Sequence, residues 1–244
     1  MELVKAPARL SALHLPEFLN KLSQSSFDPV SSLDLMSSFD LFSIGHSNIP
    51  AERFIAMLRA VGADTVADVR STPFSRFFPW FSGNNLARLL AQQSMGYLPY
   101  GDTLGGRPRD PALYCGGVAD YDAMARQPEF EAGLERLRAD MARRRVCLMC
   151  AEREPLDCHR CLLMARVLAG RGLSIGHILH DGKIEPHGAT EQRLLQLDAA
   201  PDDLFVTGQQ GRLAAAYRRR ADAVAYRAKP PGRGAKQAKQ QAKQ

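Results

Sequence analysis

The sequence lacks any stretch approaching the roughly 18 consecutive apolar residues that a membrane-spanning helix needs. Its longest apolar runs, around Leu162–Leu168 and Val146–Ala151, are far shorter. Residues 1–20 also lack the continuous apolar core of a secretory signal. Both absences lead to the expectation of a cytoplasmic protein with no membrane partner. Cysteine is scarce and odd in number, five in 244 residues, which argues against a disulfide framework and for free thiols in a reducing compartment. The Gly-rich segment Leu104-Gly105-Gly106-Arg107 lacks the Gly-Lys-Ser/Thr ending of a Walker A loop, and Gly45-His46-Ser47 is no dinucleotide fingerprint. With 45% hydrophobic and 24% charged residues, collagen, coiled-coil rods and wholly disordered chains are excluded.

The net charge of +6 is unevenly spread. Residues 208–244 hold ten lysines and arginines against Asp222, a local +9, so everything before them carries −3. The basic character therefore belongs to a tail ending in Lys-Gln-Ala repeats, which cannot bury a core but could bind nucleic acid through counterion release. At the other end, residues 1–38 form a Ser-rich extension without sustained periodicity, expected to be disordered. These boundaries leave an α/β domain over 39–195 and a helical, then low-complexity, segment over 196–244.

Within the domain, Leu41–Ile44 reads as a strand stopped by Gly45, and Phe54, Ile55, Leu58 and Val61 mark a helix behind Pro50. Thr65–Val69 reads as a buried parallel strand. An aromatic, Arg-containing loop over 71–82 leads to a helix over 84–93 and a short strand over Tyr97–Tyr100. Phe130, Leu134, Leu137 and Met141 fall on one helix face, followed by a strand over Val146–Met149 and a helix over Cys158–Ala169 with Asp157 as its natural N-cap. Ser174–His180 is β-rich, and Asp181-Gly182 is a hairpin signal returning to Lys183–Glu185. Alternating strands and helices predict a single-domain α/β fold, a three-layer sandwich with a mostly parallel central sheet. In such sheets ligands bind beyond the carboxyl ends of the strands.

At those ends the sequence carries Ser-Ile-Gly-His-Ser (43–47), Asp-Val-Arg-Ser (68–71), Leu-Gly-Gly-Arg (104–107), Tyr121 with Met124 ahead of Pro128-Glu-Phe, Cys-Ala-Glu (150–152) and Cys-His-Arg (158–160). Through these motifs, from about Leu41 to His187, the chain resembles the domain of unknown function 488, an uncharacterised bacterial and archaeal family. The resemblance implies an α/β domain and supplies no reaction. Cys147 and Cys161 stand as additions to the family pattern.

The candidate site follows from chemistry at the strand ends. Glu152 is the candidate acid/base group. Cys158, at the first turn of a helix whose free N–H groups favour anions, is a candidate thiolate, and Arg160 could grip a phosphate or carboxylate. His46 could serve as a base and Ser47 as a donor to an anion. Asp68 and Arg70, two apart, share a strand face, where they could pair or reach a ligand separately. Arg76 and the surrounding aromatics could stack on a planar base, and Gly105 and Gly106 would let backbone approach a ligand closely. His177, His180 and His187 have no evident partners in sequence. The spacing of Cys147, Cys150, Cys158 and Cys161 invites a tetrahedral zinc. A continuing strand, however, would put Cys147 and Cys150 on opposite faces and Cys161 one turn inside a helix, so neither a metal nor a cofactor is assigned.

Together these residues point to a polar site at the carboxyl edge for a phosphate-bearing ligand, a nucleotide or nucleic acid. Two alternatives stay open: a non-catalytic module that binds nucleic acid through its tail, and a zinc-stabilised or redox-sensing cysteine domain. Oligomeric state is left open.

Overall fold

A computed structural model describes residues 39–198 and 208–228. Its centre is a six-stranded sheet of β1 (Leu41–Gly45), β2 (Thr65–Asp68), β3 (Gly96–Pro99), β6 (Val146–Cys150), β7 (Ile175–Ile178) and β8 (Ile184–Pro186), while β4 (Tyr114–Cys115) and β5 (Val118–Ala119) form a separate hairpin. The sheet order is β3-β2-β6-β1-β7-β8, parallel except for β8, which returns antiparallel to β7 after Gly182. The α/β fold with a mostly parallel sheet read from the sequence is thus present. β1 and β2 are not neighbours, because β6 inserts between them. The chain first builds outward on one side of β1 through β2 and β3, then returns with β6 and continues on the other side through β7. The strand order therefore reverses at β1 and β6, the place where a crevice opens beyond the carboxyl ends.

Side chains alternate between the two faces of the sheet. Along β6, Cys147 and Met149 pack with Phe42, Ile44 and Val66 beneath α1 (Ala51–Ala60) and α2 (Gly83–Gln92). Val146, Leu148 and Cys150 face the opposite layer. That layer contains α4 (Pro128–Met141), α5 (Arg166–Gly170), α7 (Gly208–Val224) and the short α3 (Tyr121–Met124), with α6 (His187–Leu197) packed against α7. Among the described residues no helix is long and apolar enough to cross a membrane.

Two local differences from the sequence reading matter for the site. The helix after β6 begins at Arg160, not at Cys158, and its first part, Arg160–Ala165, is π-helical. Asp157 does not cap it; that residue closes the 3₁₀ turn Pro155–Asp157 and pairs with Arg220. The packing also continues past 195. Ala215, Ala216, Tyr217 and Ala221 of α7 are buried against the domain, and Arg227 bridges to Val118. Arg219 pairs with Asp198, so Arg219 and Arg220, two of the ten basic residues of 208–244, are committed to the folded body. The expectations for residues 1–38 and 229–244 lie outside the described residues.

Candidate functional site

Gly45 ends β1 where no side chain fits: a Cβ there would lie 1.8 Å from the Glu152 carbonyl oxygen. This close approach lets the chains leaving β1 and β6 stay paired, with His46 N–H donating to the Cys150 carbonyl and Ser47 N–H to that of Ala151. Arg160 completes the corner from below. Its guanidinium is fully buried and donates to the carbonyls of Glu152 (2.6 Å) and Arg153 (3.1 Å). It is therefore a clamp on the loop after β6; the expected grip on an outside anion is not what this side chain does here.

Above the clamp, Cys150, Glu152, Cys158 and His159 converge. Cys150 Sγ–H reaches Glu152 Oε2 at 2.7 Å, and Cys158 Sγ lies 3.2 Å from the same oxygen. His159 Nδ1 lies 3.6 Å from Cys150 Sγ and 3.8 Å from Cys158 Sγ. Its other ring nitrogen donates to the Val69 carbonyl at 2.9 Å, which fixes the ring. The Arg160 N–H donates to Cys158 Sγ at 3.4 Å, so sulfur takes the capping place that Asp157 leaves. Burial opposes ionisation of Cys158, but the Cys150 thiol, the Arg160 charge and His159 outweigh it and hold the Cys158 thiol well below its ordinary range. Burial and the adjoining Cys158 push Cys150 the other way, well above it. His159 is raised: its burial is overcome by Cys158, Glu152 and the Val69 carbonyl. The arrangement sets a thiol that ionises more readily than usual beside an imidazole that holds its proton more tightly than usual, with a second thiol and a carboxylate in contact.

Asp68 and Arg70 do form the expected ion pair, at 2.8 Å (Nε) and 2.6 Å (Nη2), both nearly fully buried. Asp68 also accepts from the Arg70 backbone N–H and from the Tyr97 hydroxyl, so its oxygens are occupied and it positions Arg70 rather than facing a ligand. Arg70 Nη1 donates to His46 Nε2 at 3.0 Å, and His46 Nδ1 donates to the Ser47 carbonyl. Burial, reinforced by the Arg70 charge, pushes His46 down to about 4. His46 is therefore neutral at pH 7, its lone pair already used, and its ring stacks on Phe81 at 4.2 Å. The base role expected for it is not available in this arrangement.

A cleft of about 440 Å³ opens over the cluster. It is lined by Cys150, Glu152 and His159 together with Arg70, Ser71, Gly106, Arg107, Tyr121, Tyr226 and Phe74. Of the residues singled out in sequence, Arg70, Gly106 and Glu152 line it, and Cys158 sits immediately behind Glu152. Gly105 is buried within the Gly-rich loop and does not line the cleft, and Ser47 and Arg76 lie outside the cleft wall. Phe81 of the 71–82 loop is buried and Phe78 packs partly against the same core, whereas Phe74 and Phe77 are exposed.

Sequence reasoning missed His159 as a site residue, although it stands between two residues that were chosen, and missed Arg107, whose guanidinium lies 4.8 Å from the centre of the Tyr226 ring. It also missed the buried chain in which Ser43 meets His177 (2.7 Å), His177 meets His187 (2.9 Å) and His187 meets the Tyr217 hydroxyl (3.1 Å). The four-cysteine zinc set does not assemble: Cys147 faces the α1/α2 layer, and Cys161 lies with His177 and His187.

Gly106 explains the approach of the Gly-rich loop. A Cβ there would meet the His159 ring at 2.7 Å, so Gly106→Ala must displace either loop or ring. We expect a cost of about 1–3 kcal/mol for this overpacking and a melting temperature lowered by roughly 2–12 °C. Calorimetry checks it; an unchanged transition would show that the loop does not rest on His159.

The fold and site define a class: a parallel α/β protein carrying a thiol–carboxylate–imidazole cluster in the crevice where its strand order reverses. The family described as Domain of unknown function DUF488 matches residues 50–167, and that stretch of the chain belongs to it. The match takes in β2, β6 and every residue of the cluster, while the β1 motif at 43–47 lies just before it. No curated protein and no solved structure matches the chain.

Proposed function

We propose that the cleft is the working site of an enzyme acting on a phosphate-bearing ligand, a nucleotide or nucleic acid. One observation carries the reading. The Glu152 carboxylate is exposed to the cleft on one side and contacts two buried sulfurs on the other, a placement suited to moving a proton between a bound ligand and the cluster behind it. Arg107 supports the ligand class. Its guanidinium makes no ion pair among the described residues and lies over Tyr226 in the cleft lining, where charge and an aromatic face meet. Arg70, locked by Asp68 and His46, adds fixed positive potential without having to move. Cys158, more readily ionised than an ordinary thiol, lies behind Glu152.

The test is equilibrium binding of nucleoside mono-, di- and triphosphates and of short single-stranded oligonucleotides, followed by thermal shift. Arg107→Ala is expected to weaken binding about tenfold, the loss of roughly 1.4 kcal/mol. Glu152→Gln is expected to retain the ligand and lose turnover. Failure of every phosphate-bearing ligand to bind, or equal binding by Arg107→Ala, would sink the reading.

A further inference from the structure

The cluster at the cleft has the composition and spacing of a metal site. Two sulfurs, an imidazole nitrogen and a carboxylate oxygen all lie within 4.8 Å of one another. For zinc–sulfur bonds of about 2.3 Å and zinc–nitrogen or zinc–oxygen bonds of about 2.1 Å, a tetrahedron has edges of about 3.5 Å from sulfur to nitrogen or oxygen. The Cys150 and Cys158 sulfurs stand 3.6 and 3.8 Å from His159 Nδ1, and Cys158 stands 3.2 Å from Glu152 Oε2. Both Glu152 contacts are shorter than that edge, the 2.7 Å contact with Cys150 by under an ångström, and Glu152 is the exposed member that can move outward.

The surroundings fit as well. A ligating histidine normally donates its second ring N–H to a carbonyl or carboxylate, which orients the first nitrogen. His159 does this with the Val69 carbonyl at 2.9 Å. The Arg160 backbone N–H already points at the Cys158 sulfur. Two thiolates and a carboxylate around a divalent ion leave one negative charge, and the buried Arg160 guanidinium lies beside them to balance it. Thiolate donors favour a thiophilic ion over magnesium or calcium, and the mixed sulfur–nitrogen–oxygen set in tetrahedral spacing favours zinc.

We propose that Cys150, Cys158 and His159 hold a zinc ion through Sγ, Sγ and Nδ1, with Glu152 as the cleft-facing fourth donor that a ligand can displace. This deepens the cleft reading by naming a cofactor for it, and its test needs no phosphate-bearing ligand, so the two fail separately. The nearest rival is the buried set of Cys161, His177 and His187. There the histidine nitrogens are already engaged with Ser43, with each other and with Tyr217.

The experiment is metal analysis of full-length protein purified without chelator, then exchange with cobalt(II) and absorption spectroscopy. We expect about one zinc per chain, a thiolate-to-cobalt charge-transfer band in the near ultraviolet, and tetrahedral ligand-field bands in the visible. Cys158→Ser and the milder His159→Gln should lose the metal or the band, while Cys161→Ala should keep both. The wild-type spectrum stands even if the cysteine variant fails to fold. Protein that neither contains nor takes up metal would overturn the proposal. So would a cobalt spectrum without a thiolate band, metal lost in Cys161→Ala but kept in Cys158→Ser, or a metal-free Cys150–Cys158 disulfide found by intact mass.

Discussion

Replacing Arg160 with alanine is expected to cost about 3–5 kcal/mol, the range for breaking a buried charged network by removing one member, and to lower the melting temperature by roughly 6–20 °C. The side chain is fully buried and holds two consecutive carbonyls, those of Glu152 and Arg153, which have no strand partner once β6 has ended. Alanine leaves those acceptors without their donor and opens a cavity beside the Cys158 sulfur. Arg160→Lys is expected to recover little, because one ammonium cannot reproduce a planar fork that spans two carbonyls. The same geometry loosens Gly45, whose tight seat against the Glu152 carbonyl depends on that loop staying in place. Chemical denaturation of the three proteins measures the effect. A variant within 1 kcal/mol of the parent, an order-of-magnitude threshold set by ordinary surface changes, would mean that the clamp carries no stability.

This arginine shows where sequence reading stops. The strands, the helices and the carboxyl-edge location were legible because apolar periodicity and turn residues act locally: Leu41–Gly45 and Thr65–Asp68 are strands as their β-branched and apolar runs require. The Asp68–Arg70 pair was legible because a spacing of two fixes a shared face. What Arg160 binds was not, since carbonyl acceptors carry no side-chain signature. Reading it as a hand for anions followed from its residue type alone. The insertion of β6 between β1 and β2 also escaped, because adjacency in a parallel sheet is decided by packing across many residues rather than by order along the chain. His177 and His187 are ten positions apart and meet only because β7 and α6 are brought together. The helix Gly208–Val224 falls in the segment read as helical and then low-complexity, and its docking on the domain was not legible because three of the four buried residues, Ala215, Ala216 and Ala221, carry little apolar signal beside Tyr217.

The buried histidines make folding stability fall as the solution is acidified from pH 7.5 to pH 5. Burial pushes His187 down to about 4. Burial and Arg70 do the same to His46, and burial with the His187 charge holds His177 well below the ordinary histidine range. In the unfolded chain each returns to about 6.5. Between these values the unfolded state binds the proton and the folded state refuses it, so stability rises with pH. The contribution is complete above pH 6.5 and is lost as pH falls towards 4. At pH 5 His46 and His187 each forgo about 2 kcal/mol, about 4 kcal/mol together, and His177 adds loss of the same sign. Cys158, held low by the fold, adds a loss of the same sign on acidification, and His159, held high, opposes it only near and above about pH 6.5. Urea denaturation at pH 7.5, 6.5, 5.5 and 5 would show the decline, and His46→Gln, which cannot take up a proton, should make it shallower. A flat profile over that interval would mean that the histidines are hydrated in solution and that the Ser43–His177–His187–Tyr217 chain does not form.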